Sequence, residues 1–446
     1  MPQAPWSRTA RLLSDNCRAP SARNIGIEIE RIGMWDDGYA LHYAPHPDGR
    51  PGAEQLLLSL AKNLGWPIAT YNEPFPLGLN GTSGKVSLEP GSQLEFSANP
   101  MASVAATGKV VRQFEDEVEK ITKPWGLGWI GLGVNPTARV EELDIIPLTR
   151  YRLMTELFGR TGTLGTTMMR LTSSIQLNYD YANEDEAISM LRASLALAPV
   201  STALFGNSPF SAGKPNGWLS FRSQVWRDTD ADRTGLIPEA FGKDFDFERY
   251  AEMSWKRPLM FAQNRDKKNV AGAGKSLLQI SEGQLAGCEL NEENELNSLR
   301  QVFTEARIKP GYVEVRSIDG LRQADRCPCV AFWTGIIYSR RARETALDVL
   351  GSLSTKERGE IWVAAGREGY RARAAGHSLQ ALAQQFLAVA RQGLVERGLG
   401  EEAYLAPLEQ AAREGKNPAD RILELYNGPW KQDMRQVIRY SAERSA

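Results

Sequence analysis

The sequence predicts an α+β protein whose sheet turns one charged face to a cavity and the other to helices. Three observations carry this reading. Four short stretches alternate apolar and polar residues with the period of two that marks a strand with one buried face. Between them lie runs with apolar residues at helical spacing. From Arg340 onward the composition turns helical, so 25–446 is expected to be one catalytic domain whose C-terminal portion, about 340–446, is helical.

The alternating stretches share a chemistry. In Ser174 to Asp180, Ile175, Leu177 and Tyr179 oppose Ser174, Gln176, Asn178 and Asp180. In Ile25 to Arg31 the isoleucines alternate with Glu28 and Glu30. Lys85–Glu89 and Ser92–Ser97 read as a hairpin about Pro90-Gly91, with Glu89, Gln93 and Glu95 on its polar side. Tyr312 to Ser317 sets Val313 and Val315 against Glu314 and Arg316. If these strands share one sheet, its polar face gathers Glu28, Glu30, Glu89, Glu95 and Glu314. So many carboxylates repel one another unless protons or cations compensate them. Hard divalent cations such as magnesium or manganese suit such oxygen donors and leave room for substrate phosphates. The plainer alternative is that these acids lie apart on the surface.

The remaining elements follow in order. Residues 1–24 carry Arg8, Arg11, Arg18 and Arg23 against the single acid Asp15. That faintly resembles a transit peptide, but an N-terminal extension, disordered or loosely docked, is expected instead. Residues 53–64 and 101–123 have helical apolar stripes. Asn80 to Lys85 is not a phosphate loop, because its first glycine is out of register and Val86 stands where Ser or Thr is required. Residues 144–170, with three glycines, suggest a loop-rich approach to the Ser174 strand. Glu184 to Leu197 suits a helix behind the sheet. Residues 264–302 suggest a loop or lid. Val330 to Tyr338 reads as a core helix, and Ser378 and Gly398 bracket another.

Composition narrows the function. The 53 basic and 54 acidic side chains leave a net charge of −1, which does not suggest a nucleic-acid binder. Cys17, Cys288, Cys327 and Cys329 are too few and irregular for a disulfide framework, and Cys-x-Cys is poor zinc spacing. His42, His46 and His377 sit away from any Ser or Cys motif, so hydrolase triads lack support. No run reads as a membrane span. A cytoplasmic location follows as the expectation.

Longer motifs add a resemblance. Gly26-Ile27-Glu28-Ile29-Glu30, Leu88 to Ser97, Ile175-Gln176-Leu177-Asn178, Ala203 to Phe210, Lys214-Pro215-Asn216-Gly217, Arg222 to Asp230 and Asp232-Arg233-Thr234-Gly235 resemble glutamate–cysteine ligases of the plant and proteobacterial type. The likeness runs from about Ile25 to Tyr426-Asn427-Gly428. It implies a glutamine-synthetase-like fold, a curved, mostly antiparallel sheet forming a funnel backed by helices. It also implies ATP-dependent joining of the γ-carboxyl of glutamate to the amine of cysteine through an acyl phosphate, the first step of glutathione-type thiol synthesis.

The same resemblance assigns roles. Glu28, Glu30, Glu89, Gln93, Glu95 and Glu314 become the expected ligands of magnesium or manganese. Gln176, Asn178 and Arg316 are expected at ATP, Arg222, Arg233 and Arg316 at the reacting groups, and Trp226, Arg222, Arg233 and Thr172 at the amino-acid substrate. The expected partners are glutamate, cysteine and ATP, without nucleic acid or membrane, in a monomer or homodimer. One departure stands out. Plant sequences carry Arg-Thr-Cys where this chain has Leu171-Thr172-Ser173, with Arg170 one place earlier, a shift that turns a strand residue to the other face. Another amine acceptor, or a nucleotide-binding paralogue without turnover, are the alternative readings.

Overall fold

The computed structural model describes residues 4–443. Its main sheet has nine strands: β1 (Ile25–Trp35), β2 (Ile68–Ala69), β3 (Gly78–Asn80), β4 (Gly84–Leu88), β5 (Leu94–Met101), β6 (Leu127–Ile130), β7 (Ser174–Asp180), β8 (Ala306–Lys309) and β9 (Tyr312–Asp319). Their order is β8-β9-β7-β1-β5-β4-β3-β2, with β6 pairing with the second half of β1. Every pairing in this sheet is antiparallel.

Register aligns the two faces across strands. Ile27 lies opposite Leu177, and Leu177 opposite Val315, so the apolar residues form a continuous buried surface. Glu28 lies opposite Gln176, Glu30 opposite Glu95, and Asn178 opposite Glu314, which puts the polar row on the other side. A slip of one residue would exchange these faces, so burial of the isoleucines fixes where the carboxylates emerge.

Helices cover the apolar face. The helix Glu184–Phe205 starts at Asn183, whose side chain accepts from the Glu186 N–H at 2.9 Å. It continues past the expected Leu197, through Pro199, since packing on all sides outweighs the one hydrogen bond that proline cannot donate. By length and composition this helix could cross a membrane, yet 89% of its apolar window is buried inside the protein. It is the central core helix. Beside it, Gln323–Ile337 packs on β7, where the Tyr179 hydroxyl lies 3.3 Å from Thr334 Oγ1.

Three expectations are corrected. The described part of the N-terminal extension is not loose: Ser7–Ser14 is a helix with Thr9 and Leu13 fully buried. Residues 144–170 hold two helices, Thr149–Phe158 and Gly165–Leu171. Residues 264–302 fold as part of a hairpin and the helices Leu277–Ser281 and Glu292–Arg300 rather than as an open loop. Six of the helices follow Ser339 in the described residues, and among them Leu379–Arg397 is bounded by Ser378 and by Gly398 at φ +74°.

Candidate active site

The polar face of the sheet floors a cavity of about 390 Å³. β1 contributes Glu28 and Glu30, β5 contributes Glu95, and the β4–β5 turn contributes Glu89 and Gln93. The turn spans 89–93, so the strand begins at Leu94, later than the alternation suggested. Glu89 N–H and Ser92 N–H close it onto the Gln93 and Glu89 carbonyls, with Ser92 at φ +67°. Gly91 lets this turn touch the helix Gly165–Leu171: a β-carbon there would lie 2.2 Å from the Arg170 carbonyl oxygen.

The carboxylates crowd one another. Burial, then Glu89, push Glu30 up to about 7 against the opposing pull of Arg222 and Arg316. Burial raises Glu95 well above its ordinary value, reinforced by Glu89, Glu28 and Glu30. Burial raises Glu89 too, although Arg150 and Arg316 oppose it. Amides steady the row: Gln176 Nε2 donates to Glu30 at 2.9 Å and Asn178 Nδ2 to Glu28 at 2.8 Å. Asn178 Oδ1 stays buried without a partner.

Not every expected ligand faces this space. Glu314 is fully buried, and its oxygens are taken by Arg307 at 2.8 Å, Lys309 at 2.6 Å and Arg316 at 2.5 Å. Burial works to raise its pKa, but those three cations hold it well below the ordinary range. Glu314 is therefore corrected from metal ligand to anchor of a cationic cluster. Gln93 is corrected as well. Its oxygen accepts from Gly91 N–H at 2.8 Å, and its nitrogen donates to the Thr172 carbonyl at 2.8 Å, so the amide stitches the turn to the adjacent helix end.

The arginines divide likewise. Arg316 lines the cavity, donates to Gln176 Oε1 at 2.5 Å, and stacks against Trp226 and Phe303. Arg233 does not reach the cavity, because Asp230 at 2.6 Å and the Pro258 carbonyl at 2.7 Å consume its guanidinium. Arg222 is buried, stands over the Trp226 ring at 5.6 Å and acts on Glu30 through its field, without lining the cavity. Trp226 and Thr172 are cavity residues, but the Thr172 hydroxyl donates back to Met168 at 2.6 Å. The shifted Arg170 lies in a helix and holds the Val140 and Leu143 carbonyls, away from the carboxylates.

Sequence reasoning missed several cavity residues. Arg150 and Tyr151 enter from the helix Thr149–Phe158, where a glycine-spaced loop was expected. Arg307 and Lys309 come from β8, and their alternation with Ala306 and Ile308 was a legible signal. Asn297, Arg300 and Gln301 form a wall from the region expected to be a loop or lid, joined by Met260 and Phe261 just before it.

Among the described residues, no three His, Cys, Asp or Glu side chains are arranged to hold one ion as they stand. The donor chemistry fits a cation nonetheless. Magnesium is typically gripped by one or two carboxylates, with phosphates and water completing its shell. The four clustered carboxylates Glu28, Glu30, Glu89 and Glu95 supply such donors.

The glutamate-cysteine ligase family 2 profile matches residues 25–440. The chain belongs to that family. The glutamate–cysteine ligase of Arabidopsis thaliana, a chloroplast protein, is 33% identical over 429 residues, covering 96% of this chain and 80% of its own length. Glutamate–cysteine ligase B of Oryza sativa subsp. japonica, also chloroplastic, is 32% identical over the same share of this chain and 85% of its own. In fold, the chain is similar to the glutamate–cysteine ligase of Francisella tularensis, solved with AMP, at a TM-score of 0.57 and 13% identity, covering 94% of this chain and 88% of that one. Membership makes the protein an ATP-dependent ligase, as the resemblance implied. The cytoplasmic expectation is corrected by the same comparison, since these plant relatives of the glutamate–cysteine ligase family are chloroplast proteins.

Proposed function

We propose that this chain joins the γ-carboxyl of glutamate to the amine of cysteine, using ATP, through a γ-glutamyl phosphate. Family membership supports the reaction class. The observation that carries the site assignment is the row of Glu28, Glu30, Glu89 and Glu95 lining one cavity together with Arg316.

The chemistry asks for two displacements. An oxygen of the γ-carboxylate attacks the terminal phosphorus and ADP leaves; the amine nitrogen then attacks the acyl carbon, sheds its proton, and phosphate leaves with the carboxyl oxygen. Glu30, Glu89 and Glu95, with Glu28, would hold magnesium or manganese, which when bound neutralises phosphate charge during transfer. Gln176 and Asn178 orient that row, and Gln176 also fixes Arg316. Arg316 stabilises the anion that develops at the transferring group. Trp226, Phe303, Met154, Met168 and Met260 line the rest of the cavity and keep water from the reactive acyl group. Arg222, over Trp226, helps keep Glu30 ionised.

The test supplies ATP, glutamate labelled with ¹⁸O at the γ-carboxyl, cysteine and competing amines. γ-Glutamylcysteine as product, with one label in the released phosphate, is expected. A different amide overturns the acceptor, and unlabelled phosphate overturns the acyl-phosphate route.

A further inference from the structure

The loop between β2 and β3 begins with a tight turn, in which Glu73 N–H donates to the Thr70 carbonyl at 3.0 Å, with Tyr71 at φ +52° and Asn72 at φ +66°. A tyrosine in the left-handed region is costly and persists only where its surroundings hold it. Tyr71, Asn72, Pro74 and Phe75 are exposed, so burial of the loop does not supply that hold. Its tip is instead fastened to the helix Thr149–Phe158. The Glu73 carboxylate accepts from Thr149 N–H at 2.9 Å, and the Arg150 guanidinium lies 5.7 Å from the centre of the Tyr71 ring.

That helix lacks what Glu73 gives it. An α-helix leaves its first N–H groups without partners of its own. Leu148 stands at the N-cap, where it offers no side-chain acceptor, and the first turn holds no acid. Arg150 and Arg152 follow directly, at the end where the helix dipole disfavours positive charge. We infer that Glu73 is a positioning residue for the ligation: from 76 residues away it caps this helix and thereby fixes Arg150 and Tyr151 at the cavity wall. This deepens the ligase reading and rests on it. Both residues lie in the first turn, so fraying there displaces both. Arg150 donates to the Tyr151 hydroxyl at 3.3 Å and lies 5.0 Å from that ring's centre, and the same hydroxyl donates to Glu89 at 3.4 Å. Glu73 itself does not line the cavity, so its effect on turnover passes through these two side chains.

The test compares Glu73→Ala, Glu73→Gln, Arg150→Lys and the double variant Glu73→Ala with Arg150→Lys, in the full chain. Glu73→Ala is expected to lower kcat/KM about tenfold, as misplaced groups at a reacting centre do. It should melt near wild type, because the loop tip is exposed. Glu73→Gln keeps an accepting oxygen and is expected to recover most of the loss. Glu73→Ala should also alter the same kinetic constant as Arg150→Lys, and the double variant should be little slower than Arg150→Lys alone, since both act through one guanidinium. Wild-type kinetics in Glu73→Ala overturn the assignment. So do equal losses in the Ala and Gln variants, or losses that multiply in the double variant. Should Glu73→Ala fail to fold, amide hydrogen exchange decides in the wild type: slow exchange at Thr149 supports the cap, and exchange at the rate of an unprotected amide overturns it. Failure of the wild type to make γ-glutamylcysteine would sink the ligase reading instead, while the Thr149 measurement stands apart from it.

Discussion

Glu30 stands directly opposite Glu95 across β1 and β5, two carboxylates paired in register on the cavity floor. Like charges so placed destabilise a sheet unless something compensates them.

Replacing Glu95 by glutamine keeps the shape and removes that charge. Turnover is expected to fall about a hundredfold or more, since one carboxylate of the proposed cation site is lost. The melting temperature should hold or rise, because repulsion is relieved. ADP release and a thermal scan check both, and near-normal turnover would remove Glu95 from the site. Excess EDTA should abolish wild-type activity and magnesium restore it.

Gly91→Ala tests how the turn is seated. Its new methyl would lie 2.2 Å from the Arg170 carbonyl, which is backbone and cannot swing aside. The hairpin must shift and carry Glu89 with it. A loss of about 1–3 kcal/mol in urea denaturation is expected, together with a fall in kcat. Full activity at wild-type stability would mean that the turn floats free of the helix.

Buried Glu305 gives stability a pH dependence. Burial pushes its carboxyl up to about 7, outweighing Arg222 and Arg316, from an ordinary value of 4.5. The native state therefore holds the proton more tightly than the unfolded one. This contribution is complete below pH 4.5 and is lost as pH rises through 7. Glu305→Gln should match wild type most closely near pH 4 and gain on the order of 3 kcal/mol relative to it by pH 8. Denaturation at pH 4, 6 and 8 reads this directly, and a difference that does not change with pH would show that the carboxyl is ionised throughout.

Cys327 and Cys329 lie two apart in one helix, hence on opposite sides of it, and both thiols are free. The double replacement by serine should keep activity and lower stability by about 1–2 kcal/mol, mainly through the hydroxyl placed at fully buried Cys329. Dithiothreitol should change neither quantity in the wild type. Loss of most activity in the variant would give these thiols a role.

The sheet's polar row was legible because a period of two is a local signal, and register then carried Glu28, Glu30, Glu95 and Gln176 to the same side. Glu314 obeyed the same pattern and still went elsewhere. Its partners, Arg307 and Lys309, come from the neighbouring strand, and pairing between strands is not written in either one. Gln93 misled for another reason: it sits in a turn with Ser92 at positive φ, where alternation no longer tells direction. Arg233 is held by Asp230, three residues earlier, a proximity visible in sequence whose burial was not. The wall around Met260 and Asn297 is built from elements too short to leave a periodic trace.

The helix Ser7–Ser14 has a consequence for the order of assembly. Thr9 accepts from Trp255 Nε1 at 2.8 Å and donates to Glu295 at 3.2 Å, partners 246 and 286 residues further along the chain. Glu295 belongs to the helix whose Asn297 and Arg300 face the cavity. During synthesis this segment emerges before these partners, and its Thr9 contacts form only once Trp255 and Glu295 have followed. The closure entropy of so long a loop is repaid only once its partners are folded. The helix Ser7–Ser14 is thus a latecomer to its Thr9 contacts, and the cavity wall it braces is completed only after Glu295 has docked.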